Sequence, residues 1–205
     1  MHPLDEALIR SCPTMLVPRH GTFNKLAEIG HRLLVAADGL WLEVNRPWLH
    51  LIWPLGEGIP IAIPYGSLSV EMQFAFQTIN SQLLKRFLQE SRDRYPHEHA
   101  AWLVWDEEKQ SLAYRELTET YSSTGAVKVI RPALPRQQHL CVDMHSHGQH
   151  AAIFSATDDA DDRGEYKISI VCGDVMRVQP SIAVRLCIGG LYVPVDQDLL
   201  GDGYA

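Results

Sequence analysis

The apolar positions along this chain change period twice. In the first third they alternate. Leu33-Leu34-Val35 leads into Ala37-Asp38-Gly39, and Trp41-Leu42-Glu43-Val44 follows. Asp-Gly between alternating apolar runs is a hairpin signal. A second turn at Asn45-Arg46-Pro47 precedes Trp48-Leu49-His50-Leu51-Ile52-Trp53, so the pattern predicts a three-stranded meander. Pro54 to Gly66 is rich in Gly and Pro and reads as a connector, with Ile59 to Ile63 a candidate strand inside it. From Ser67 the period becomes helical. Met72, Phe76, Ile79, Leu83 and Phe87 recur at helical spacing, and Gln73, Gln77, Lys85, Arg86 and Gln89 supply a polar face. The uninterrupted segment Ser67 to Tyr95 therefore predicts a long helix, stopped by Pro96.

Beyond Pro96 the chain reads as strands again. Ala100 to Trp105 is a buried strand and Ser111 to Leu117 its alternating neighbour. Thr118 to Gln138, polar and proline-bearing, reads as a long, partly ordered loop. Leu140 to His147, Tyr166 to Val171 and Ser181 to Ile188 are further strands, with a short helix around Asp158 to Arg163. Gly201 to Ala205 reads as a frayed end. The expectation is an α/β chain with a mixed sheet. It divides into a β-rich module at 1–66, a main domain at 67–196 and a tail at 197–205.

Composition narrows the function classes. A chain of 205 residues with a 46% hydrophobic fraction can bury a substantial core without crosslinks. Its net charge of −7, with no Lys/Arg cluster, argues against a nucleic-acid partner. No apolar run approaches the roughly 20 residues of a membrane span, and Met1 to Arg19 lacks the apolar centre of a secretory signal. Cys12, Cys141, Cys172 and Cys187 lie far apart and form no Cys-x-x-Cys pair. These features predict a reduced, soluble, cytoplasmic protein.

The chemistry concentrates in Asp143-Met144-His145-Ser146-His147-Gly148 and Ser155-Ala156-Thr157-Asp158. Residues two apart on a strand face the same way, so His145 and His147 present their imidazoles together. Two neutral imidazoles and a carboxylate are a common zinc ligand set, and Asp158 can supply the carboxylate. Ser155 is placed to cap a short helix, with Asp158 in its first turn. Three ligands leave the fourth position open for water, as in catalytic zinc sites. His139, Cys141 and Asp143 share the strand face, and His150 lies close by, so other ligand sets stay open.

His145-Ser146-His147, seven residues, then Ser155-x-x-Asp158 resembles the JAMM (MPN+) metallopeptidase signature in all four motif positions and in their spacing. The resemblance extends over roughly Ser67 to Val195. It implies a mixed β-sheet flanked by helices, of the cytidine-deaminase-like kind. It also implies one Zn²⁺ held by His145, His147 and Asp158. The family's upstream glutamate corresponds to Glu98, in Pro96-His97-Glu98-His99. By resemblance, Glu98 moves the proton of the attacking water to the departing amine, and Ser155 donates to the developing oxyanion. Glu71, Glu107, Glu108, Glu116 and Glu119 compete for the role of Glu98 from composition alone. Ser146 is expected on the opposite face. Two positions depart from the family pattern. Gly148 stands where a Pro is common, which would loosen the loop below the metal. Ala101 stands where a Gly is common, which puts the approach of that strand to the site in question.

The N-terminal stretch Ala36 to Val44, with Arg46-Pro47-Trp48-Leu49-His50, is similar to the protein A family of the bacterial PRTRC cassette, whose other members include ParB-related and ThiF-related proteins. The resemblances together imply a zinc-dependent peptidase or isopeptidase that acts on the C-terminal tail of a ubiquitin-like or other protein. ThiF-related, E1-like proteins are the implied partners. The alternatives are a non-catalytic MPN-type scaffold and a zinc hydrolase of a small amide-type substrate.

Overall fold

The computed structural model describes residues 1–58, 60 and 63–201. The chain forms two compact units, Met1–Ala75 and Phe76–Ala205.

The first unit begins with helix α1 (Pro3–Ser11), which buries none of its residues. Five strands follow: β1 (Thr14–Leu16), β2 (Gly30–Ala36), β3 (Gly39–Arg46), β4 (Leu49–Pro54) and β5 (Glu71–Phe74). They pair in that order. β1 runs parallel to β2 and the others are antiparallel. The predicted meander is β2 to β4, and the Asp-Gly turn joins its first two strands. Asp38 Oδ1 accepts the indole N–H of Trp41 at 2.9 Å across that turn. Val17, Leu34, Ala36, Trp41 and Ile52 form one core cluster. The candidate strand Ile59 to Ile63 falls largely outside the described residues.

The helix expected from Ser67 starts later. Met72 lies in β5, opposite Leu51 of β4. The unpaired backbone edge of β4 is satisfied by a strand, and this outweighs the helical spacing of a few apolar side chains. Helix α2 is Ser81–Arg94, and its start is set by Asn80, whose side chain accepts the N–H of Gln82. Tyr95 leaves the helix with extended backbone before Pro96, as a pre-proline residue must. The division between units consequently falls after Ala75 instead of at 66.

The second unit contains β6 (Ala100–Asp106), β7 (Ser111–Glu116), β8 (Thr118–Ser122), β9 (Val127–Ile130), β10 (Gln138–Ser146), helix α3 (Ala156–Asp162), β11 (Tyr166–Gly173), β12 (Ser181–Ile188) and β13 (Leu191–Pro194). A six-stranded sheet has the order β13-β12-β11-β10-β6-β7. β10 is parallel to β11 and antiparallel to β6, so the sheet is mixed, as expected. Every residue of β6 is buried.

Thr118 to Gln138 is not a loop throughout. β8 and β9 form a separate hairpin within it. Val127 and Val129 pack on the buried cluster of Ala100, Trp102, Val104 and Leu117, while Lys128 and Ile130 face outward. The outward polar residues and flanking prolines hid this alternation. The segment assigned to the tail is also partly structured. A 3₁₀ turn at Gln197–Leu200 buries Leu199 and Leu200, and Leu199 O accepts the N–H of Ile79 at 2.7 Å. Among the described residues, no helix is long and apolar enough to cross a membrane.

Candidate metal centre and catalytic cleft

Strand alternation and one helix start assemble the site. β10 ends at Ser146, with His145 opposite Ala100 of β6. The chain then holds extended long enough for the His147 N–H to bond Cys172 O of β11 at 2.8 Å. Both imidazoles therefore emerge on one side of the sheet. His145 Nε2 stands 3.1 Å from His147 Nε2 and 3.2 Å from Asp158 Oδ1. Among the described residues these three form a group that could hold a metal ion, with all ligand atoms within 4.8 Å of one another.

The donor set fits zinc. Ligands 2.0–2.1 Å from a tetrahedral ion stand about 3.3 Å apart, close to the separations found here. His147 Nδ1 faces Ala151 O at 3.3 Å, which assigns the ring proton to Nδ1 and leaves the Nε2 lone pair directed at His145. Burial pushes His145 below its ordinary pKa; the Asp158 carboxylate opposes this, and His147 adds to it. A neutral imidazole is the form that binds metal. Asp158 is oriented by the capping box of α3. Its Oδ2 accepts the Ser155 N–H at 2.6 Å, while Ser155 Oγ accepts the Asp158 N–H at 3.3 Å. One carboxylate oxygen is thus taken by the helix start and the other is turned toward His145.

Glu98 lines the same cleft, whose volume is about 710 Å³, and it is 6% exposed. Burial, and after it the nearby Asp158 charge, raise its carboxyl pKa to about 7. Its backbone is fixed on both sides: the N–H donates to Ser123 O at 2.8 Å, and the C=O accepts Ser122 Oγ–H at 2.6 Å. The next residue, His99, is buried and places its ring nitrogens on Glu119 and, at 3.1 Å, on Glu90. Ser146, on the opposite face as expected, accepts the His99 N–H through Oγ at 2.9 Å and donates its own N–H to His99 O at 2.9 Å. The residue between the two histidines thereby holds the segment that carries Glu98.

The competing residues lie elsewhere. Glu71 pairs with Lys25, Glu107 with His139, Glu116 with Arg86, and Glu119 with His99. Glu108 is exposed beside the β6–β7 turn. Cys141 sits at a bulge in β10 and is fully buried. His150 is exposed, its N–H bonded to His147 O. Of the other ligand sets left open, none joins the group.

Both departures from the family pattern find a place. Gly148 adopts φ +53°, which proline cannot, and a Cβ there would stand 2.7 Å from Pro96 O. The loop is not loosened, since Gly148 O also accepts the Val175 N–H at 3.0 Å. Ala101 lies opposite Met144, on the sheet face away from the cleft, where its methyl does not separate strand and site.

A buried ionic cluster beside the triad escaped the sequence reading. Lys167 joins Asp143 and Asp162, and Arg185 joins Asp162 and Asp159. Burial opposes the charge on Lys167, but Asp143 and Asp162 outweigh it and raise its pKa. Asp162 is held down by Lys167 and Arg185 against the opposing effect of burial. The signal was present: single cations within the apolar strands Tyr166–Gly173 and Ser181–Ile188, facing a helix with four aspartates.

Residues 2–75 match a domain of unknown function (DUF2016). Residues 80–187 match the prokaryotic homologs of the JAB domain. No functionally curated protein matches the chain. The second match covers more than half of the chain and contains Glu98, the two histidines, Ser155 and Asp158, so the protein belongs to the prokaryotic JAB-domain family.

Proposed function

We propose that this protein is a zinc-dependent peptidase or isopeptidase. The observation that carries the reading is the convergence of His145, His147 and Asp158 in a cleft that also holds Glu98, a buried carboxyl with a pKa of about 7. The JAB family includes peptidases, which supports the same reading. His145, His147 and Asp158 would hold the ion, which when bound supplies Lewis acidity and lowers the pKa of water toward about 7. The rest is the work of the chain. Glu98, with a pKa of about 7, takes a proton from water on a carboxylate oxygen and returns it to the departing amine nitrogen. Ser155 Oγ, whose lone pair is engaged by the Asp158 N–H, keeps its own proton for the carbonyl oxygen of the scissile bond.

Besides the triad, Val127, Val129 and Trp102 line the cleft, which offers apolar surface to the side chains of an extended chain. The tail of a ubiquitin-like protein is the substrate we favour, with ThiF-related, E1-like proteins as partners. Cys141, Cys172 and Cys187 are buried free thiols, which favours a reducing compartment such as the cytoplasm. The test is metal analysis followed by hydrolysis of a ubiquitin-like fusion. The wild type should carry one zinc per chain. Glu98→Gln should keep the zinc and lose about 10²–10⁴-fold in rate. A zinc-free wild type, or a Glu98→Gln variant as fast as wild type, would overturn the reading.

A further inference from the structure

The two histidines are carried by β10 and its continuation, Asp158 by α3. Each ligand group brings a second carboxylate with it. Asp143 lies two residues before His145, on the same strand face. Asp162 lies four residues after Asp158, one helical turn on and on the same helix face. Between these carboxylates stands one ammonium. Lys167 Nζ of β11 is 2.7 Å from Asp143 Oδ2 and 2.9 Å from Asp162 Oδ1. The side chains of Lys167 and Asp162 are only 2% and 4% exposed.

α3 has no apolar anchor of its own. Its sequence is ATDDADD, and the one residue it buries is Asp162. Arg185 of β12 supplies most of the remaining hold, beside the hydroxyl of Tyr192 in β13, which donates to Asp159 O at 2.7 Å. Its guanidinium donates to Asp162 Oδ2 at 2.7 and 3.1 Å and to Asp159 Oδ1 at 2.5 Å, and lies 3.9 Å from the ring centroids of both Phe154 and Tyr192. A helix attached by ionic contacts takes its position from the cations that hold it.

We propose that Lys167 is a positioning residue for the metal centre. Its ammonium ties the strand bearing His145 and His147 to the helix bearing Asp158, and so sets the separation of the two ligand groups. Arg185 fastens α3 alone. The inference rests on the reading of the triad as a zinc site. Without the ammonium, buried Asp162 and half-buried Asp143 are like charges on the two ligand-bearing elements, and their repulsion drives α3 outward. Arg131, 3.7 Å from Asp143, already pairs with Glu165 at 2.9 Å.

The experiment uses the full chain and the metal alone. Zn²⁺ is titrated in competition with a chelating dye, and Co²⁺ is bound in its place for its absorption spectrum. Lys167→Met should weaken zinc binding about 10–100-fold, the range for partners that orient metal ligands, and should shift the Co²⁺ bands. Lys167→Arg, which can bridge both carboxylates, should recover most of the affinity. If Lys167→Met does not fold, Asp162→Asn keeps the volume and removes one charge of the tie. It should weaken zinc binding by several-fold. A lysine that serves only the fold would lower the melting temperature while leaving the affinity and the Co²⁺ spectrum unchanged, and that result overturns the proposal. So does wild-type affinity in Asp162→Asn. A wild type that takes up no zinc defeats the zinc reading itself and the tie with it; a zinc-binding wild type matched by Lys167→Met defeats the tie alone.

Discussion

The buried carboxyl of Glu98 makes the stability of the zinc-free protein depend on pH in a direction opposite to most carboxylates. Its pKa is raised from 4.5 to about 7, first by burial and then by the Asp158 charge. A raised acid binds its proton more tightly in the folded chain than in the unfolded one. Its contribution is therefore fully present below pH 4.5 and is lost as pH rises through 7. A shift of this size, at about 1.36 kcal/mol per pKa unit, is worth about 3 kcal/mol. Glu98→Gln keeps the shape of the protonated side chain and does not titrate, so it should become more stable than wild type by about that amount near pH 8 and match it near pH 4.5. His145, whose pKa is lowered, has the opposite slope and stabilises as pH rises toward 6.5, but it is common to both proteins and cancels in their difference. The assay is urea denaturation of both proteins in chelator at constant ionic strength, from pH 4.5 to 8. Adding Zn²⁺ should shrink the difference, because a cation at Asp158 removes the second cause of the shift. A wild-type-minus-variant difference that stays flat with pH would refute the burial and coupling assigned to Glu98.

Two substitutions probe the supports of the site. Gly148→Ala should destabilise by about 2–5 kcal/mol, combining the cost of left-handed backbone with the Cβ contact 2.7 Å from Pro96 O. Gly148→Pro, the residue common in the family, should be worse because its ring locks φ near −65°; an unchanged melting midpoint in the Ala variant would refute the close approach. His99→Leu leaves Glu90 and Glu119 without the hydrogen bonds of the imidazole between them and should cost about 3 kcal/mol by chemical denaturation. Glu119→Gln added to it should restore part of that loss, and no restoration would mean that the loss does not come from a buried carboxylate left without its hydrogen-bond partner.

The parts of this chain that were legible in its sequence are those governed by short-range order. The Asp38-Gly39 turn, the alternation on either side of it, and the strand Ser181–Ile188 depend on neighbours one to four residues away. So does the capping box at Ser155 and Asp158, where the residues that start the helix also orient the metal-facing carboxylate. Where the reading failed, a distant partner decided the outcome. Met72 shares helical spacing with Phe76 and Ile79, yet the open edge of β4 draws it into a strand. Val127 and Val129 sit in a polar, proline-flanked stretch, and only the apolar surface of Trp102 and Val104 makes them a strand face.

The same distinction runs through the candidate site. The sequence by itself determined which side chains could act as ligands, because the two-residue period of a strand and the first turn of a helix are local geometry. It also marked Glu98, through a family pattern. Tertiary structure alone decided that these groups converge and that Glu98 is shielded enough to hold its proton near neutrality. It alone brought Lys167 of β11 and Arg185 of β12 against the aspartates of α3. Burial and charge pairing depend on what the rest of the fold packs around a residue, and no local pattern encodes that.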